Sequence, residues 1–161
     1  LIILKTGIKL IQANSFKSLL NLETLFVNQN FLEKIEPSAF NHLNKLKKLE
    51  LVQNNIKHVD NGVFEGLENL NELYLFELDD VRIGEKSFDI FNKLENLAFS
   101  FKNTKLSNNF NGLKNIENLK SLCAYQAKDS VLNYDVFSNA NNRMSELKLI
   151  EWSKSIDFEY I

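Results

Sequence analysis

The 161-residue sequence contains one cysteine, two histidines and no long apolar segment. A single thiol, that of Cys123, cannot build a disulfide framework or a zinc site made of several cysteines. No stretch approaches the roughly 20 consecutive apolar residues of a membrane-spanning helix. These absences exclude a disulfide scaffold, a zinc ribbon and a membrane span within this segment.

An excess of charge of one sign is missing as well. The 19 lysines and arginines nearly balance the 21 aspartates and glutamates, and the formal net charge is -2. No large positive field is available to hold a nucleic-acid backbone or an anionic membrane. We therefore expect no nucleic-acid partner.

Residues suited to catalysis or cofactor binding are sparse. His42 and His58 have no partner at the spacing of a metal site or a catalytic triad, so both are expected to be solvated turn residues. The glycines never form the motifs that cradle phosphates. The stretch with Glu77, Asp79 and Asp80 lacks the alternating ligands of a calcium loop, which favours a solvated acidic turn over a cation site. The sequence predicts no enzyme, no metal and no cofactor.

The sequence is dominated by a repeat of about 24 residues. One position of the repeat is almost always phenylalanine, in the series Phe16, Phe40, Phe64, Phe88, Leu113 and Phe137. In the same register an apolar triplet recurs, as in Leu22, Leu25 and Val27 and then in Leu46, Leu49 and Leu51. A fixed period of this length predicts a stacked-repeat architecture.

Each triplet predicts a short strand, because alternate residues of a strand face the same side. One unit cannot bury its own apolar side, so units must stack with parallel strands and a continuous leucine core. The repeating phenylalanines would form an aromatic spine inside the coil. Asn30 and Asn54 directly follow their strands, where an amide can bind backbone groups exposed as the chain turns. Short helical or 3₁₀ turns are expected on the convex side.

These residues resemble a known family. Segments 22–35 (LETLFVNQNFLEKI) and 46–59 (LKKLELVQNNIKHV) are similar to leucine-rich repeats of the 24-residue type, common in extracellular receptors and adhesion proteins. The resemblance covers essentially the whole chain but weakens after Leu75, where other residues replace the asparagine. It implies an α/β fold, a right-handed solenoid or horseshoe with a parallel β-sheet on the concave face.

We predict a single repeat domain over residues 1–161. It consists of a partial repeat at 1–21, repeats at 22–45, 46–69, 70–93, 94–118 and 119–143, and a partial repeat at 144–161. The cysteine-rich caps usual in extracellular members are missing from this sequence. We therefore expect an excerpt of a longer array or a divergent member, with association of copies or other proteins through the repeat ends as a further expectation.

Residues between the inward leucines should point outward and cover the concave sheet. This face gathers aromatic and acidic residues, namely Phe26, Glu50, Tyr74, Phe76, Phe101 and Tyr125. Exposed aromatics with a polar rim have the composition of a protein interface. We predict that these six residues bind a protein partner. The alternative is that one or more rings cover a neighbouring strand or meet flanking repeats.

Cys123 falls in an outward-facing column, where its thiol would face solvent. The repeats are degenerate in this part of the chain, so a register slipped by one residue, which would bury the thiol, is equally compatible with the sequence.

The resemblance implies a non-catalytic recognition module that binds a protein ligand or co-receptor. Its implied setting is extracellular immune recognition, cell adhesion or cell-surface signalling. An intracellular scaffold or regulator of another protein is the alternative, and the cellular compartment would distinguish the two.

Overall fold

The fold is given by a computed structural model that describes residues 1–75, 81–84, 86–101, 113, 116–127 and 145–152. Only the backbone is described for residues 100–101, 124–127, 147 and 149–152. Within these ranges the chain forms short strands: β1 (Ile2–Leu4), β2 (Leu10–Ile11), β3 (Thr24–Asn28), β4 (Lys34–Ile35), β5 (Lys48–Glu50), β6 (His58–Val59), β7 (Glu72–Leu75), β8 (Arg82–Ile83), β9 (Asn96–Phe101), β10 (Ser121–Ala127) and β11 (Glu146–Trp152).

Seven of these strands form one parallel sheet, in the order β1-β3-β5-β7-β9-β10-β11. The register follows the repeat, since Leu25 pairs with Leu49 and Leu49 pairs with Leu73. The shorter strands make two parallel ladders, β2-β4 and β6-β8. Because every turn of the chain adds one strand to the large sheet, the molecule is a solenoid of stacked coils, as the sequence predicts.

The core lies between the large sheet and the return segments. The central leucines of the triplets are at most 2% exposed from β3 through β10, in the series Leu25, Leu49, Leu73, Leu97 and Leu122. Their alternation with half-buried residues, clearest in β3 and β7, is the period of a strand with one buried face. The leucine pattern therefore fixes which side chains of the sheet face outward.

The phenylalanines stack along the solenoid axis. The ring centroids of Phe16 and Phe40 are 5.9 Å apart and those of Phe40 and Phe64 are 6.4 Å apart, with nearly parallel planes. Phe88 continues the series 6.0 Å from Phe64 at a tilt of 44°. Phe91, which occupies the position of Leu67 in the preceding repeat, packs 5.2 Å from Phe64. Phe137 lies outside the described residues.

The return segments consist of isolated turns. Each turn is closed by backbone hydrogen bonds between residues three apart, such as that from Leu43 N to Phe40 O at 3.0 Å. The helical or 3₁₀ turns expected on the convex side are not found in the described part of the chain. Ser38 and His42 have positive φ angles of 59° and 78°. Both residues lie inside hydrogen-bonded turns, and a helix needs consecutive residues at negative φ, so these turns do not continue into a helix.

The amide of Asn30 ties neighbouring coils together. Its Oδ1 accepts hydrogen bonds from Thr6 N at 2.8 Å and Gly7 N at 3.0 Å, in the preceding coil. Its Nδ2 donates to Ile3 O and to Asn28 O, both at 2.9 Å. The Asn30 side chain is buried, and these bonds give both of its polar atoms hydrogen-bond partners.

Gly66 provides a local test of the stacked turns. It has a φ of 93°, and a Cβ there would lie 2.8 Å from Phe40 O and 2.9 Å from Asn41 Cα. We expect Gly66→Ala to lower the free energy of unfolding by about 2–4 kcal/mol, because strain at positive φ and a backbone clash add. Chemical denaturation monitored by circular dichroism measures this.

Gly7→Ala is the matched control. Gly7 also has a positive φ, 78°, but a Cβ there meets no atom within 4 Å. We expect Gly7→Ala to lower the free energy of unfolding by only about 1 kcal/mol, which is the conformational cost of a positive φ. Equal losses in the two variants would contradict the close approach between successive turns at Gly66.

Candidate functional site

The candidate site is the concave face, defined as the outward-facing side chains of the seven-stranded sheet. In β3 the side chains of Leu25 and Val27 are fully buried, and Thr24, Phe26 and Asn28 between them are half-buried. The same alternation recurs in β5 and β7. Because the strands are parallel and in register, equivalent outward residues form columns across the sheet.

Three of the six predicted binding residues stand side by side. Phe26 pairs with Glu50, and Glu50 pairs with Tyr74, across β3, β5 and β7. Phe76 lies outside the described residues. Phe101 and Tyr125 lie in β9 and β10, where only their backbone is described.

Lys48 organises this part of the face. Its Nζ lies 3.0 Å from Glu50 Oε1 and 3.4 Å from Glu72 Oε2. The same atom lies 5.5 Å from the ring centroid of Phe26 and 4.9 Å from that of Tyr74. Cations at such distances are attracted to the faces of aromatic rings. We call these five residues the Lys48 cluster.

The Lys48 cluster changes the expectation that the rings sit in solvent. Phe26 and Tyr74 are half-buried, and the ammonium group of Lys48 lies over both rings. Lys48 is not among the residues predicted from the sequence, although alternation places it on the same side of β5 as Glu50, which is two residues later. Lys48 stands out once the outward-facing position two residues before Glu50 is included in the face.

Further hydrogen bonds hold the carboxylates in place. Asn28 Nδ2 donates to Glu50 Oε2 at 2.8 Å, and Asn28 Oδ1 accepts from Val52 N at 3.0 Å. The hydroxyl of Tyr74 donates to Glu72 Oε2 at 3.1 Å. The two rings are thus fixed by a charged network, which lowers the conformational entropy that they would lose on binding.

The network shifts two pKa values upward. Burial opposes the charge on Lys48, but its hydrogen bond to Glu50 and the charges of Glu50 and Glu72 outweigh this effect and raise the Lys48 pKa. Burial raises the pKa of Tyr74, and the negative charge of Glu72 and the hydrogen bond to it raise the pKa further. The cluster therefore stabilises the lysine ammonium and the neutral phenol.

This arrangement predicts the direction of two pKa changes. Glu72→Gln should lower the pKa of Tyr74 by removing a negative charge, and Lys48→Met should raise it by removing a positive one. An alkaline titration of tyrosinate absorbance measures both, and Tyr74→Phe identifies the signal of Tyr74 among the four tyrosines. Shifts in the same direction in both variants would contradict the cluster geometry.

Cys123 faces outward from β10. It pairs with Ala98 in β9 and with Lys148 in β11, and its neighbour Leu122 is fully buried. This register matches the outward-facing alternative and excludes the slipped one. The thiol is half-buried.

The sequence motifs considered for chemistry do not converge on the concave face. His58 lies in β6, in one of the small ladders, and His42 lies in a return turn; both are exposed. The acidic stretch at Glu77, Asp79 and Asp80 lies outside the described residues. Among the residues that the structure covers, no group of three or more histidine, cysteine or acidic side chains could hold a metal ion.

The described part of the chain also holds no helix with the length and apolar character needed to cross a lipid bilayer.

Stacked parallel strands, a leucine core and a charged aromatic face define a solenoid protein of the repeat class. The sequence model of the leucine rich repeat family matches residues 1–56 and 20–80 of this chain. The chain is a leucine-rich repeat protein, and members of this family are typically protein-interaction modules.

Two solved structures have similar folds. A TLR13–ssRNA13 complex superposes with a TM-score of 0.57 and 19% identity, covering 89% of this chain and 25% of the TLR13 chain. Internalin C2 from Listeria monocytogenes superposes with a TM-score of 0.52 and 22% identity, covering 94% of this chain and 72% of the internalin chain. At these identities the likeness shows the fold alone. No curated protein sequence matches this chain.

Proposed function

We propose that this protein is a non-catalytic recognition module that binds a protein partner through its concave face. The observation that carries the proposal is the Lys48 cluster, in which an ion-pair network holds Phe26 and Tyr74 on the open face of the sheet. Tyrosine is enriched among residues that dominate binding energy, and phenylalanine is enriched at interfaces generally. Rings that are already ordered lose little entropy when a partner covers them.

The remaining predicted residues extend the same proposal. We extend the proposal to Phe76, Phe101 and Tyr125, the other residues that the sequence predicts for this face. Together with Phe26, Glu50 and Tyr74 they would give a protein partner several apolar anchors within a polar rim.

We also propose that residues 1–161 form one repeat domain that can associate through its ends.

An RNA ligand is the main competing class, because the similar TLR13 structure is a complex with ssRNA13. The strands of the large sheet do not favour it here. They carry two lysines against four glutamates, namely Lys48 and Lys148 against Glu50, Glu72, Glu146 and Glu151. Both lysines lie within 3.0 Å of a glutamate oxygen. Phosphate backbones need a positive surface, so this composition favours a protein.

The setting that we propose is extracellular immune recognition, cell adhesion or cell-surface signalling. The 24-residue repeat supports it, since this type is common in extracellular receptors. The alternative is an intracellular scaffold or regulator. Protease digestion of intact cells that make the protein separates the two: loss of the protein supports the extracellular proposal, and full protection contradicts it.

Site-specific photo-crosslinking tests the binding face. A photoreactive phenylalanine analogue is placed at position 26 or 74 and, as a control, at position 31, where Phe31 is 59% exposed. In cells that make the protein, we expect positions 26 and 74 to capture the same protein and position 31 to capture none of it. Mass spectrometry identifies the captured molecule.

Two results would contradict the proposal. Capture of the same partner from position 31 but not from positions 26 and 74 would place binding elsewhere. Products that disappear on ribonuclease treatment, rather than protease treatment, would show that the face binds RNA.

A further inference from the structure

The charges of the Lys48 cluster are unequal. One ammonium group, that of Lys48, serves two carboxylates, those of Glu50 and Glu72. The ammonium is closer to Glu50, at 3.0 Å, than to Glu72, at 3.4 Å. Glu50 also accepts the amide of Asn28 at 2.8 Å. The excess negative charge of the cluster is therefore concentrated on Glu72.

Glu72 is also the more accessible of the two carboxylates. Its side chain is 35% exposed, compared with 21% for Glu50. Its additional partner is the neutral hydroxyl of Tyr74 at 3.1 Å. A carboxylate can accept about four hydrogen bonds, so Glu72 retains acceptor capacity for a bound molecule. Asn96 pairs with Glu72 across β7 and β9, so a second polar residue is the neighbour of Glu72 in the sheet.

We propose that Glu72 anchors an arginine side chain of the protein partner, with the guanidinium group beside the ring of Tyr74. This inference rests on the proposed function, because it names the chemistry of the partner at the same face. The planar guanidinium donates two parallel hydrogen bonds to a carboxylate and stacks on aromatic rings. Its charge is spread over three nitrogens, which reduces repulsion by the nearby Lys48 ammonium compared with a lysine.

An acidic partner group fits this surface less well. It would have to approach Lys48, which already has carboxylate oxygens of Glu50 and Glu72 within 4.0 Å. Repulsion from both glutamates would oppose that approach, and like charges at an interface disfavour a partner. Charge complementarity therefore selects a basic group.

Selection of displayed peptides tests the inference. A phage library of random disulfide-closed heptapeptides is selected on the protein and counter-selected on Tyr74→Ala, which removes the ring without adding charge. We expect the enriched peptides to share an arginine at one position. Replacing that arginine by alanine, or Glu72 by glutamine, should each weaken binding on the order of tenfold, and the two losses should not add.

Glu146→Gln is the matched control, since Glu146 forms the same kind of ion pair with Lys148 on β11 at 2.8 Å. It should leave peptide binding unchanged. The inference would be overturned if peptides that require Tyr74 lacked arginine, carried lysine instead, or bound the Glu72→Gln variant with the same affinity as the original protein. Any of these results would still support the proposed binding face. Absence of any peptide that requires Tyr74 would overturn the proposed function as well.

Discussion

Replacing Phe64 by alanine is expected to destabilise the protein by about 3–5 kcal/mol. Phe64 is 1% exposed, and its ring lies 6.4 Å from that of Phe40, 6.0 Å from that of Phe88 and 5.2 Å from that of Phe91. The substitution would leave a cavity at the centre of the aromatic spine, and the rigid rings around it can collapse into the cavity only in part. Equilibrium unfolding in urea measures the loss.

Phe31→Ala is the control for this experiment. Phe31 is 59% exposed, so removing its ring should change the free energy of unfolding by no more than about 0.5 kcal/mol. A loss at Phe64 as small as that at Phe31 would show that the phenylalanines do not form a packed spine.

The second large effect is expected for Asn54→Ala, with a loss of roughly 2–4 kcal/mol. Asn54 is 3% exposed, and its Nδ2 donates to Val27 O at 2.7 Å, Leu51 O at 3.1 Å and Val52 O at 3.2 Å. Its Oδ1 accepts from Leu32 N at 3.3 Å. Alanine fills part of the space but supplies neither donor nor acceptor, so buried backbone groups would lose their partners.

The adjacent residue provides the control for Asn54. Asn55 is exposed, and we expect Asn55→Ala to change stability by less than about 0.5 kcal/mol. Urea unfolding of the two variants under the same conditions makes the comparison. Similar stabilities would contradict a role for the Asn54 amide in joining successive coils.

The fold could be predicted from the sequence because the apolar pattern that produces it repeats about every 24 residues. A single coil cannot bury Leu49 and Leu51 alone, so a period of 24 residues with this pattern leaves stacking as the solution. The prediction of a leucine-rich repeat solenoid is confirmed by the strand register and by the family match. The sequence left the side of Cys123 open, and the register of β9 and β10 places it outward.

Features that depend on single residues could not be predicted in this way. Phe91 joins the spine although no equivalent phenylalanine occurs in the earlier repeats. Positive φ is expected at Gly66 from its residue type, but His42, which is 24 residues earlier, adopts it without being glycine. A repeat imposes the same backbone path on different side chains, so residue type alone does not reveal these positions.

The candidate site was predictable only in part. Alternation identifies Phe26, Glu50 and Tyr74 as outward-facing neighbours, and the structure places them side by side. It does not show how a long flexible side chain will lie across them. The position of Lys48 over two rings and between two carboxylates depends on tertiary distances that the sequence does not contain.

The central claim is that the concave face around Tyr74 binds a protein. The most direct measurement is calorimetric titration of the partner captured from position 26 into three proteins: the original, Tyr74→Glu and Phe31→Glu. We predict that Tyr74→Glu weakens binding roughly thirtyfold or more while the chain stays folded by circular dichroism, and that Phe31→Glu binds normally. Unchanged affinity in the folded Tyr74→Glu variant would contradict the claim.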